Sequence, residues 1–170
     1  MSASQDSRGA IDKAVASTSV LILAFCGAVV GFAIVGTVVA PGQQGGAGMQ
    51  VVYALVLAAF GALVGSVLFR RISLQPARLA SAYYAGGESA LAQVLVRTAI
   101  VSGALAESVG IFGLIIALLT ADTYYLYALC AVALIGVLSN FPRASKWRGV
   151  VAEIATAADA GAVGSSFGKG

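Results

Sequence analysis

A single carboxylate interrupts the most apolar part of this 170-residue chain: Glu107, in the segment 101–120, VSGALAESVGIFGLIIALLT, which holds no other charge. A helix needs roughly 20 predominantly apolar residues to cross about 30 Å of hydrocarbon, and an ionisable group near its middle costs at least ~2.5 kcal/mol. Glu107 stands ten residues after Arg97 and fifteen before Asp122. At about 1.5 Å per residue this spacing puts its carboxyl near the bilayer midplane. Desolvation disfavours the charged form of a carboxyl, and a neutral one can cross apolar surroundings and release its proton where water or a cation meets it. The hydroxyls closest in sequence, Ser102 and Ser108, complete the candidate ion-binding set, although at five residues back and one forward neither sits squarely on the Glu107 face. Gly103 and Gly110 do share that face and open room for a helix or a water beside the carboxyl. The other use of such a group is adhesive: a permanently neutral Glu107 bonding a backbone carbonyl or a polar group across a helix interface.

Other chemistry finds little to work with. Catalysis by a nucleophile or an acid–base pair needs a second reactive group within reach. Asp122 and Glu153 belong to predicted membrane edges, there is no histidine, and the spans offer no lysine to activate a hydroxyl. The chain is therefore not expected to be an enzyme on its own, and no cofactor is expected beyond a transported proton or Na+. Cys26 and Cys130 each lie inside an apolar run, where a packed thiol is the simplest reading.

The elements that must hold Glu107 at that depth come from the rest of the chain. With 59% hydrophobic and 10% charged residues and a mean hydropathy of +0.95, it is far more apolar than a soluble domain, in which about 25% of residues are charged. We expect an all-α membrane protein with four transmembrane helices at about residues 14–40, 51–69, 92–120 and 123–141. They form one domain over 1–149, and a small-residue-rich cytoplasmic tail over 150–170 follows. A polar arm, 1–13, precedes the first span. Pro41 and GQQGGAG make the first turn, Pro76 opens a longer connection with a short interfacial helix near 77–84, and Tyr124, Tyr125 and Tyr127 begin the fourth span. In the tail, the first part suits a short surface helix, and the last seven residues, GSSFGKG, are expected to be loose. Gly27 and Gly31 in the first span, Gly61 and Gly65 in the second, and Gly103, Gly110 and Gly113 in the third are the candidate helix-packing positions, because small residues let membrane helices approach closely.

Cation placement sets the orientation. Arg8 and Lys13, then Arg70, Arg71, Arg78 and Arg97, then Arg143, Lys146 and Arg148 all fall on one side of a four-span chain, so both termini are expected in the cytoplasm. The net charge of +3 is spent at these membrane edges, and no nucleic-acid partner is expected. The expected partners are the lipid bilayer, further copies of the chain and other membrane subunits, in the inner or plasma membrane of a prokaryote.

The string GALAESVGIFGLIIALL, residues 103–119, resembles the carboxylate-bearing helix of the proteolipids, the c subunits of rotary ATP synthases and ATPases. The resemblance is carried by Ala106, Glu107, Ser108, Ile111, Phe112, Gly113 and Leu114. Gln75 and Pro76, in a cationic loop, are similar to the Arg-Gln-Pro loop that joins the two helices of a c subunit. The resemblance implies that spans two and three form a c-subunit-like hairpin, to which spans one and four are additions. It also implies that Glu107 binds and passes the transported proton or Na+ within a larger ion-translocating complex. The alternative is a noncatalytic scaffold or anchor subunit, with Glu107 serving helix or subunit adhesion.

Overall fold

The computed structural model describes residues 3–42, 46, 48–166, and every regular element among them is helical. Five helices follow in order: α1 (Ala3–Val39), prolonged by a 3-10 turn (Ala40–Gly42); α2 (Met49–Ser73); α3 (Pro76–Thr120); α4 (Tyr124–Ser139); and α5 (Ala144–Ser166). Helix α3 is the axis of the bundle. Helices α1, α2 and α4 each pack along it, α1 also lies against α4, and α5 rests on the first part of α3 and the start of α1.

Each helix presents to α3 a stripe repeating near every seven residues, the spacing that keeps one face turned to a partner. In α2 the buried positions are Val52, Ala59, Ser66 and Ser73. In α1 they include Ile11, Thr18, Ile22, Val29 and Gly36. Helix α3, with neighbours on three sides, buries residues almost continuously from Leu91 to Ala117. The midsection core gathers Val29, Ala59, Val109, Ala117, Leu126, Cys130 and Ala133, and a second cluster forms at one end from Ile11, Leu79, Leu91, Leu95 and Val151.

The outer surface is apolar instead of charged. Val38, Leu57, Phe60 and Ile135 are each more than 60% exposed, whereas a water-soluble monomer rarely shows contiguous apolar patches beyond a few hundred Å². Three helices are long and apolar enough to cross a membrane: Ile11–Gly42, Met49–Ser73 and Pro76–Thr120. Helix α4 has 16 residues, about 24 Å at 1.5 Å per residue, and reaches a spanning length only together with α5, from which it is bent by 46°. The sequence-based boundary near 141 therefore corresponds to a helix that stops at Ser139 and turns. Taken together, length, hydropathy and the apolar exterior are those of an integral membrane helical bundle.

The connection between α2 and α3 resolves into parts. Pro76 takes the first turn of α3, where its missing N–H costs no hydrogen bond. The helix is then interrupted at Gly86 and Gly87, the latter at φ 64° and ψ −153°, a region that essentially only glycine enters. The short helix over 76–85 and the long one over 88–120 thus meet at a glycine joint, where the sequence separates an interfacial helix from a span. At the other end, Ala121 caps α3 with φ 57°, a left-handed conformation that costs a non-glycine residue about 1 kcal/mol.

Two expectations change. The N-terminal arm is not a separate polar segment, because α1 runs unbroken from Ala3. The tail is not loose from residue 164: α5 continues to Ser166, and its Val151 is buried against Leu79 and Leu95. Residues 167–170 of that expected tail, and residues 43–45 and 47 of the first turn, lie outside the described part.

The bundle segregates charge. Asp12 meets Arg148 at 2.7 Å, an exposed pair that contributes at most about 1 kcal/mol. Arg70 reaches the last carbonyls of α4, so the ends of α2 and α4 and the starts of α1 and α5 share one end. At the opposite end the Gly46 N–H donates to the Leu119 carbonyl at 3.3 Å, and Thr37 and Tyr127 hydroxyls lie 2.9 Å apart. The only acidic or basic residue there is Asp122 among the described side chains.

Candidate functional site

Glu107 lies in the middle of the long section of α3, ten residues beyond Arg97 and thirteen before Thr120, or about 15 Å and 20 Å along the axis. Its position on the helix is at a margin. Ala104 and Ile111, one turn before and after, are exposed to the outside, Ala106 is fully buried, and Glu107 itself is intermediate. Neither a hydrogen bond nor an ion pair joins its carboxyl to any described residue. At this depth the only fully polar alternatives to such a bond are a proton, a water or a group from another chain.

The two glycines flanking Glu107 define what lies beside it. A Cβ on Gly103 would come 3.1 Å from the ends of Ile22 and Phe25, and one on Gly110 would come 3.5 Å from Phe32 and Val29. The room that the sequence opens next to the carboxyl is thus taken by α1 of the same chain, which closes one flank with aromatic and aliphatic side chains. The other flank is the outer surface.

Ser102 and Ser108 are engaged elsewhere. The Ser108 hydroxyl donates to the Leu105 carbonyl at 2.7 Å within its own helix. Ser102, fully buried, is turned about 140° around the helix from Glu107, and its hydroxyl lies 2.7 Å from the Thr98 carbonyl and 2.8 Å from Asn140 Oδ1. The two hydroxyls and the carboxyl do not converge on one ion, and no cluster of three metal-ligating side chains exists among the described residues. A lone carboxyl handles a proton readily, whereas Na+ would need several further oxygens.

Ser102 belongs instead to a polar junction of α2, α3 and α4. The Ser66 hydroxyl donates to the Ser102 carbonyl at 2.8 Å. Asn140 Nδ2 donates to the Gly136 carbonyl at 2.8 Å, and its Oδ1 faces Ser102 and, at 3.4 Å, an Arg70 nitrogen. Arg70 Nη1 also donates to the Ser139 carbonyl at 2.8 Å. Ser66, Ser102 and Asn140 are each under 10% exposed, so these groups have exchanged water for one another. Neither Asn140 nor Ser66 is among the candidate residues that the sequence offers. The available signal was the heptad spacing of Val52, Ala59 and Ser66, which puts the serine on the buried face. Replacing Asn140 with Ala removes the acceptor that Ser102 and Arg70 share and should lower unfolding stability by about 1 kcal/mol, since both donors keep a backbone carbonyl, Thr98 and Ser139. A detergent unfolding titration would read this; an unchanged midpoint would mean that water replaces the amide.

The glycines divide sharply. A Cβ on Gly113 would lie 3.0 Å from Leu129 Cβ and 3.4 Å from the Leu126 carbonyl oxygen, one on Gly136 would lie 3.0 Å from Ala106, and one on Gly36 would overlap Leu126. By contrast, a Cβ on Gly27, Gly31, Gly61 or Gly65 would meet nothing within 4 Å. No described residue of the chain packs closely on these four; the heptad stripes of α1 and α2 leave Gly27 and Gly61 exposed and Gly31 and Gly65 half-buried.

No protein family, curated protein or solved structure matches the chain, so the likeness to proteolipids rests on residues 103–119 and the Gln75–Pro76 loop.

Proposed function

We propose that this chain is an integral membrane subunit that passes a proton through Glu107 as part of a larger ion-translocating complex. The observation that carries the reading is the carboxyl itself: it is at mid-depth of the longest span, at the outward margin of α3, without a partner among the described residues. A group that only glued this bundle together would be expected between two of its helices with its hydrogen bonds made, as Asn140 is. At an outward margin it is available to a facing subunit, and a facing cation or water chain is what releases a proton from a buried carboxyl. Glu107→Gln in the assembled complex is the direct test, because it removes the titrating proton and little else.

The second reading is adhesion to another subunit, and the outward glycines favour it: Gly27 and Gly31 on α1, and Gly61 and Gly65 on α2, leave flat strips on which helices of another chain can pack. Both readings require an assembly, either of several copies or with different membrane subunits.

The topology that goes with this function has four spans, α4 being a short one completed at the interface by the bend into α5, and both termini in the cytoplasm, where nearly all the cations gather. Single cysteines introduced at Gly48 and Ser81 in a background lacking Cys26 and Cys130 check it. An impermeant maleimide added to intact cells is expected to label position 48 and not 81. Labelling of 81 from outside would invert the orientation.

A further inference from the structure

The charged end of the bundle contains a cavity of about 320 Å³ enclosed by the last turns of α2 and α4, the start of α5 and one face of α3. Three cationic side chains, Arg70, Arg143 and Lys146, line it, and no acidic residue does. At the same end Arg148 pairs with Asp12. Arg143 and Lys146 make no side-chain hydrogen bond or ion pair among the described residues, and Arg70 commits only Nη1, to Ser139 and Asn140. The guanidinium has five N–H donors in all, so most of its hydrogen-bonding edge stays free. All three cations are exposed, and together they make the mouth of the hollow a place where an anion is favoured.

The remainder of the wall identifies the kind of anion. Beside the cations the lining is mixed: Leu79, Leu95 and Trp147 are apolar while Thr98, Ser102, Ser139 and Asn140 are polar, and the apolar part suits the hydrocarbon that follows a charged head. Arg70 closes the last turn of α2 and Asn140 caps α4, so the cations stand where apolar spans end, the level at which lipid phosphates lie. Planar, multiply donating guanidinium groups match phosphate oxygens in geometry as well as charge.

We propose that this cavity binds the phosphate group of an anionic phospholipid, with Arg70, Arg143 and Lys146 around the headgroup and the first part of the acyl chains against Leu79, Leu95 and Trp147. The site joins α2, α4 and α5 and lies on the opposite face of α3 from Glu107, so it is independent of the proton-carrying role. An occupied headgroup would tie α5 to the bundle and neutralise the junction beneath it.

Trp147 is the only tryptophan in the chain, and its fluorescence reports on the cavity directly. The full chain is reconstituted in vesicles of unlabelled phosphatidylcholine containing a fixed fraction of brominated lipid. Brominated phosphatidylglycerol is expected to quench Trp147 at least about threefold more than brominated phosphatidylcholine. Arg143→Gln combined with Lys146→Gln should bring the ratio close to one, since each surface cation contributes measurably to anionic-lipid attraction. Arg97→Gln, a charge loss at the same end but outside the cavity, should leave the ratio unchanged. A parallel titration in detergent with inorganic phosphate distinguishes the sources. A fluorescence change at millimolar phosphate means that the anion alone suffices, and a response to the lipid alone means that the acyl chains are needed; either outcome supports a phosphate site. Equal quenching by the two brominated lipids together with no response to phosphate overturns the proposal on the wild-type protein alone. An equal loss of selectivity in the Arg97 variant overturns it as well, by reducing the effect to general surface charge.

Discussion

Membranes carrying Glu107→Gln are expected to retain the assembled complex and to lose ion-coupled activity to background. Glutamine keeps the length and most of the hydrogen-bonding capacity of a neutral carboxyl, and Glu107 makes no bond to a described residue that the amide would break. Assembly should therefore change by no more than the ~0.6 kcal/mol average of an intramembrane hydrogen bond. The titrating proton, in contrast, is removed completely. Glu107→Asp separates chemistry from shape: it restores an acid about one methylene short of the native position, so partial activity is expected to return. If Glu107 instead serves adhesion, Glu107→Gln should leave activity intact. Glu107→Leu should then disperse the complex, through the unpaired polar group it leaves on the facing subunit. The measurements are proton uptake by inverted vesicles and the size of the complex in mild detergent, made on the same membranes. Full proton uptake by Glu107→Gln vesicles would end the proton-carrying account.

The largest effect on the bundle itself is expected at Gly113. Its missing Cβ lies against Leu129 Cβ and a backbone carbonyl of α4, and a carbonyl has no rotamer by which to move aside. Gly113→Leu therefore forces α4 away from α3, and overpacking of this kind costs typically 1–3 kcal/mol and more where backbone must shift; a loss of about 3 kcal/mol or greater is expected. Gly61→Leu, chemically the same change, meets open space. It should fall within about 1 kcal/mol of wild type, with the gain in helix propensity offsetting any loss. Thermal unfolding in detergent compares the two, and equal destabilisation would mean that α2 packs by its other face. If Gly61→Leu spares unfolding but reduces the size of the complex, the outward glycines are contacts between subunits.

That pair also shows where the sequence was legible and where it was not. Hydropathy located α1, α2 and the long part of α3, and Pro76 announced the start of the short helix before it, because each of these signals is local; the joint at Gly86 and Gly87 was not singled out. The position of Glu107 midway along the long section of α3 followed from counting residues between charges. Which face of a helix is used is a tertiary property: Gly61 and Gly113 look alike as small residues in apolar runs, and only the heptad of Val52, Ala59, Ser66 and Ser73 turns the first outward. The pairing of Ser102 with Asn140 joins positions 38 residues apart and could not be read from spacing, so Ser102 was grouped with Glu107 by closeness in sequence although it faces another helix. The shortness of α4 was masked by the tyrosines before it and the aromatic and cationic residues after it, which have the composition of membrane edges at both ends. The three-cation cavity was visible in sequence only as orienting charge.

The most direct measurement of the central claim is the reaction of the intact protein, in its native membrane, with dicyclohexylcarbodiimide, an apolar reagent that modifies protonated carboxyls reachable from the lipid. Peptide mapping by mass spectrometry is expected to find one adduct, on Glu107, absent from Glu107→Gln membranes and formed in parallel with the loss of proton uptake. An unmodified Glu107, with activity unaffected by the reagent, would contradict the account.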